Sequence, residues 1–145
     1  MTTYVLDASA VLRFTDKEPG FNRVRDLLKL AAKSDAELLV SAVNWAEIVI
    51  ALHKRGGGVS QIAVNLAANL AALPITIIPV DQVQAEVAAS FKCNYKIPLA
   101  DAFAATLSLL RSSGPPKQQA TLVTADFDFK SIPAGTMKIE FLPTK

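Results

Sequence analysis

One cysteine and one histidine in 145 residues remove several kinds of chemistry at the outset. Cys93 has no second thiol to pair with, so neither a disulfide framework nor a thiolate zinc site can form, and a reducing compartment is expected. A ribonuclease working through two imidazoles is excluded as well, because His53 stands alone in the tail of an expected helix. Long apolar runs are also missing. The longest, Ile48 to Leu52, falls far short of the roughly 18 residues that cross a bilayer, which argues against a membrane protein. Met1 to Phe14 lacks the basic start, the apolar segment of roughly 7–15 residues and the small-residue cleavage site of an export signal, so a cytoplasmic protein is expected. Charged residues make up only 19% while hydrophobic residues make up 51%, which excludes disordered and fibrous classes. A chain of this length is expected to form a single domain over residues 1–145, with a core that needs no staple.

What is present is an alternation of short strands and helices. Thr3 to Leu6 is a β-branched and apolar run ending at Asp7, and Ala8 to Thr15 reads as a helix. After the break at Pro19-Gly20, Phe21, Val24, Leu27, Leu28 and Ala31 recur at helical spacing through Lys33. Glu37 to Val40 is the next strand, and Ser41 can cap a helix running to about Arg55, stopped by Gly56-Gly57-Gly58. Ser60 can cap a helix bearing a stripe of Ile62, Leu66, Leu70 and Leu73, which reads as core or as a docking face. Ile75 to Val80 is a strand. Asp81 and Gln84 have capping-box spacing for a helix to about Asn94. Leu99 to Ser112 is helical, Gly114 to Lys117 is a loop, Ala120 to Thr124 is a strand, and Lys138 to Leu142 alternates like an edge strand. The fold class expected is α/β, a three-layer α/β/α sandwich around a mostly parallel sheet, whose ligands bind beyond the strand carboxyl ends.

Four carboxylates occupy unusual positions. Asp7 and Asp126 follow apolar strands, where Asp7 reads equally as a helix N-cap and Asp126, like Asp128, as a turn former. Glu47 shares a helical face with Val43, Ile50 and Ala51, an apolar stripe. Asp101 shares one with Ala104, Ala105 and Ser108, although a first-turn acid also compensates the helix dipole. Convergence of Asp7, Glu47, Asp101 and Asp126 is the economical account. Unit charges about 4 Å apart repel by about 4 kcal/mol at an effective dielectric near 20, so such a cluster requires a cation. Oxygen donors without supporting His or Cys select hard ions, Mg²⁺ with Mn²⁺ as substitute. Setting those four acids aside leaves nine acidic against 15 basic residues, a balance suited to a polyanion. Carboxylates around Mg²⁺ suit phosphoryl transfer, and a nuclease is the natural class.

The order Val-Leu-Asp7-Ala-Ser9, Asn-Trp-Ala-Glu47-Ile, Pro-Leu-Ala-Asp101-Ala-Phe-Ala-Ala-Thr and Leu-Val-Thr124-Ala-Asp126-Phe-Asp-Phe resembles the PIN domain, specifically the VapC-like toxins of type II toxin–antitoxin pairs. The resemblance covers the whole chain. It implies that Asp7, Glu47, Asp101 and Asp126 are the catalytic and metal-holding acids, with Ser9 and Thr124 as accessory hydroxyls and Asp128 as a second acid of the last motif. The stretch through Gly114 to Lys117 is longer than the compact family pattern. The function implied is a single-stranded RNA endonuclease, inhibited by a cognate antitoxin and often a homodimer. Two alternatives remain at this point. One is a PIN-like module that binds RNA or protein without catalysis. The other is a phosphoryl-transfer domain of the haloacid dehalogenase or response-receiver kind, which also places Asp after a first strand. Ser9 stands where the former needs a second Asp, and Asp7 lacks the acidic neighbour of the latter. Lys54-Arg55 can meet phosphate or complement a helix dipole, and Gly56 to Gly58 lacks the pattern of a phosphate loop.

Overall fold

The computed structural model describes residues 1–55, 57, 60–112 and 120–145. The expected Gly114–Lys117 loop, the Ser60 cap and two of the three glycines at 56–58 lie outside the described residues. The chain runs β1 (Thr2–Leu6), α1 (Ala8–Thr15), α2 (Phe21–Ala32), β2 (Ala36–Ser41), α3 (Ala42–Arg55), α4 (Ser60–Ala71) and β3 (Thr76–Ile78). It continues through α5 (Gln82–Tyr95), α6 (Leu99–Arg111), β4 (Thr121–Thr124), a 3₁₀ turn (Phe127–Ser131) and β5 (Lys138–Phe141). None of these helices is long and apolar enough to cross a membrane.

The five strands form one sheet in the order β3-β2-β1-β4-β5, every neighbouring pair parallel. Alternation along the strands sorts their side chains into two cores. Leu6, Leu38, Val40 and Val123 face a layer built from α1 to α4, with Val24, Leu27 and Ile48 at its centre. Val5, Leu39 and Leu122 face α5 and α6, where Phe91, Ile97, Phe103 and Phe129 fill the space. Strands buried on both faces are what a parallel sheet requires, and every residue of β4 and all of β2 but Glu37 are buried.

Strand order positions the site. From β1 the chain moves outward through β2 to β3, then returns to place β4 on the other side of β1. The reversal leaves a crevice beyond the carboxyl ends of β1 and β4, the usual ligand position in open α/β sheets. Asp7 follows β1 there and Asp126 lies just past β4.

Local detail departs from expectation in three places. β3 spans only Thr76–Ile78, because Pro79 has no amide hydrogen to extend the ladder. Only half of the capping box forms: Asp81 Oδ1 accepts the Gln84 amide at 2.8 Å, while Gln84 Nε2 donates instead to the Pro79 carbonyl at 3.1 Å. On α4 the buried positions are Ala63 and Leu70, whereas Ile62 is 47% exposed and Leu66 is exposed too, so the apolar stripe is only partly core.

Gly20 introduces α2 with φ of +97°, and a Cβ placed there would sit 2.9 Å from Cβ of the buried Leu142. Left-handed backbone and a fixed neighbour act together, so Gly20→Ala is expected to cost about 1–3 kcal/mol in urea melts. An unchanged unfolding midpoint would mean that the entry to α2 rebuilds freely.

Candidate active site

Asp7 is 2% exposed and fills two roles at once. It caps α1, Oδ1 accepting the Ala10 amide at 2.9 Å and the Ser9 hydroxyl at 2.7 Å. Its Oδ2 accepts from Thr124 Oγ1 at the end of β4. The cap reading and the site reading of this residue are therefore compatible. The two hydroxyls stand 3.2 Å apart and are tied to the β4 terminus, Ser9 Oγ accepting the Ala125 amide and Thr124 Oγ1 the Asp126 amide, each at 2.9 Å. Burial pushes the Asp7 carboxyl up to about 6, against the lowering effect of the Thr124, Ser9 and Ala10 hydrogen bonds; the charge of Asp126 adds to the rise.

Asp101 enters from the opposite layer, in the first turn of α6 after Pro98. Its neighbours Ala104, Ala105 and Ser108 are all buried, so α6 packs closely and Asp101 is left only 7% exposed. Its Oδ2 is buried without a hydrogen-bond partner. Desolvation is the largest force raising this carboxyl, to about 8. A hydrogen bond to Asp126 that favours the protonated form and the charges of Asp126, Asp7 and Glu47 push the same way. Asp126 is half-buried and accepts the Asp128 amide at 2.9 Å, an Asx turn that opens the 3₁₀ segment.

Glu47 reaches the same place for a different reason than its pattern suggests. Its stripe is not buried: Ile50 is 56% exposed and Glu47 itself is exposed, while α3 packs through Asn44, Ile48 and Leu52. Glu47 lies on the flank of α3 that borders the crevice. Asn44, one turn earlier and fully buried, donates through Nδ2 to Glu47 Oε1 at 3.4 Å and to the Ala100 carbonyl at 3.1 Å. It thereby ties the helix of Glu47 to the helix of Asp101. Sequence reading missed Asn44; the available signal was its spacing of four from Ile48, on the core side of α3.

Asp7, Glu47, Asp101 and Asp126, with Ser9 and Leu12, line one cleft of about 250 Å³. Asp101, Asp126 and Asp128 each offer a carboxylate oxygen within 4.8 Å of the others, which draws the exposed Asp128 into the cluster. Three carboxylates at that separation stay ionised together only with a cation among them. The donor set is all oxygen, one donor is already desolvated and unpartnered, and no described His or Cys accompanies it, a set that fits a hard divalent ion.

A family model described as "PIN domain" matches residues 4–135. Among solved structures, VapBC2 from Rickettsia felis, bound to a DNA fragment from its promoter, superposes with a TM-score of 0.71 at 18% identity, over 98% of this chain and 100% of that one. A toxin–antitoxin complex from Klebsiella pneumoniae gives 0.61 at 17% identity, over 94% and 99% of the two chains. VapC20 of Mycobacterium tuberculosis, a sarcin–ricin loop cleaving toxin, gives 0.63 at 17% identity, over 97% and 99%. Comparison with curated protein sequences finds no significant match.

Proposed function

The chain belongs to the PIN-domain family, and on that premise we propose that it is a single-domain, divalent-metal-dependent endonuclease of single-stranded RNA, the toxin of a toxin–antitoxin pair. The observation that carries the reading is the convergence of Asp7, Glu47, Asp101 and Asp126, from four separate elements and two layers, on one cleft at the sheet's switch point. Asp7, Glu47, Asp101 and Asp126, which line the cleft, would hold Mg²⁺ or Mn²⁺, joined by Asp128, whose carboxylate lies within 4.8 Å of those of Asp101 and Asp126. When bound, such an ion supplies Lewis-acid activation of water and stabilisation of the leaving oxygen in phosphodiester hydrolysis.

The chain's own groups prepare that chemistry. Ser9 and Thr124 donate to the Asp7 carboxylate and fix its plane. Asn44 restrains Glu47. Burial and the charges of its neighbours raise the Asp101 carboxyl, so it favours the protonated form, and a cation held there would compete with that proton. A cognate antitoxin, a homodimer and a cytoplasmic location fit the toxin reading, which the fold shared with the Klebsiella complex and the mycobacterial toxin supports.

Incubating the purified chain with a panel of RNAs in Mg²⁺ tests the reading, and intact RNA throughout would favour a binding module without catalysis. In cells, expression without the antitoxin is expected to slow growth, and Glu47→Gln is expected to relieve it. Equal toxicity of the two proteins at matched levels would separate growth arrest from cleavage.

A further inference from the structure

Just past Asp126 the 3₁₀ segment carries side chains that serve neither the core nor the carboxylate cluster. Phe129 fills the core and is fully buried, whereas Phe127, two residues earlier, is 43% exposed. The Phe127 ring stacks on that of Phe141, centroids 5.5 Å apart and planes 21° from parallel. In a 3₁₀ helix residues i and i+3 eclipse, which brings Lys130 over the pair: its Nζ lies 4.6 Å from the Phe127 centroid and 5.7 Å from that of Phe141. Phe141 is also the register partner of Thr124, whose hydroxyl bonds Asp7. The aromatic pair therefore stands at the carboxyl edge of β4 and β5, one residue beyond an acid of the cleft.

The geometry points to Phe127, backed by Phe141, as a stacking platform for an unpaired nucleobase of the strand whose phosphodiester enters the cleft, with Lys130 meeting a neighbouring phosphate. The inference rests on the nuclease reading of that cleft and deepens it, because it names what holds the substrate beside the reacting bond. A base within a duplex keeps its faces covered by its neighbours, so such a platform accepts single strands and splayed loops. What favours a strand over a protein partner is the position beside the carboxylate cleft, and the ammonium supplies a charge that attracts the strand's phosphate. Stacking on an aromatic face tolerates any base, so the platform adds affinity and placement with little sequence preference.

The test measures binding of a short single-stranded RNA and of the same strand with one abasic sugar moved along it, by fluorescence anisotropy in Mg²⁺. An Asp101→Asn background keeps the strand whole. At one abasic position affinity is expected to fall about tenfold to a hundredfold. Adding Phe127→Leu, which keeps apolar bulk without the π face, should abolish that difference, and Phe127→Trp should restore it. Lys130→Gln should weaken both strands alike and reduce the slope of log affinity against log salt by about 0.7. Full base-versus-abasic discrimination in Phe127→Leu overturns the platform, and if the unmodified protein still cuts RNA the nuclease reading stands. An unmodified protein that neither binds nor cuts any strand overturns both.

Discussion

Asp101→Asn is expected to lower RNA cleavage at least about a hundredfold, the upper end of what even an outer-shell partner of a metal costs, while leaving the fold intact. The second half of that expectation follows from the charge the fold has enclosed. In the folded protein the Asp101 carboxyl lies at about 8 against an ordinary 3.8, so the fold disfavours its ionised form. Below the ordinary value the group is neutral in both folded and unfolded chains and costs nothing; as pH rises through about 8 the cost reaches its full size. Asn is neutral throughout and escapes it. In EDTA the variant should therefore melt with the parent near pH 4 and above it near pH 8, the gap widening with pH. Paired thermal melts across that range, beside cleavage assays in Mg²⁺, check both halves. A variant that cuts at the parent rate would remove Asp101 from the chemistry, and a gap that narrows as pH rises would mean the carboxylate is stabilised by its surroundings.

Asp7 carries the same sign on a smaller scale. Its rise from 3.8 to about 6 corresponds to about 3 kcal/mol at roughly 1.4 kcal/mol per pH unit, lost from the metal-free fold as pH climbs through that interval. Penalties of this sign on two buried acids are what a bound cation would relieve, and a divalent ion that occupies the cleft is expected to stabilise the fold by mass action.

Legibility in the sequence tracked how local each signal was. Asp7 and Asp126 could be placed at strand ends because short β-branched and apolar runs mark β1 and β4 directly, yet their juxtaposition depends on the β1–β4 pairing. Asp101 was legible through its small-residue face, since Ala104, Ala105 and Ser108 can be buried only where a helix packs closely. Glu47 lines the cleft, although its helical stripe gave an incomplete reason to expect it there. Period 3.6 shows which residues share a stripe and leaves open which stripe meets the sheet, and α3 turns Asn44, Ile48 and Leu52 inward. Gln84 departed from its capping box because the Pro79 carbonyl, left without a strand partner by the short β3, offered a competing acceptor. Asp128 read locally as a turn former and entered the site only through the family resemblance; the 3₁₀ geometry after Asp126 is what brings its carboxylate within 4.8 Å of Asp101 and Asp126.

The ends of the cleaved strand are expected to be a 3′-hydroxyl and a 5′-phosphate. Attack by the strand's own 2′-hydroxyl needs one group to take its proton and another to protonate the leaving 5′ oxygen, work usually divided between two imidazoles. This chain has one, His53, in the last turn of α3, and it is not among the residues lining the cleft. The cleft offers carboxylates instead, a set that favours water as nucleophile: water's oxygen bonds phosphorus in line, the 3′ oxygen leaves with the bonding pair and takes a proton, and phosphate stays on the 5′ side. A substrate lacking the 2′-hydroxyl at the scissile nucleotide should accordingly still be cut. EDTA should stop the reaction, Mg²⁺ or Mn²⁺ should restore it, and Ca²⁺ should do so poorly, its longer and looser coordination holding the reactants less closely. Mass spectrometry of one cleaved oligonucleotide reads both ends together. A 2′,3′-cyclic phosphate, or full activity in excess EDTA, would overturn hydrolysis by water and with it the roles proposed for Asp7, Glu47, Asp101 and Asp126.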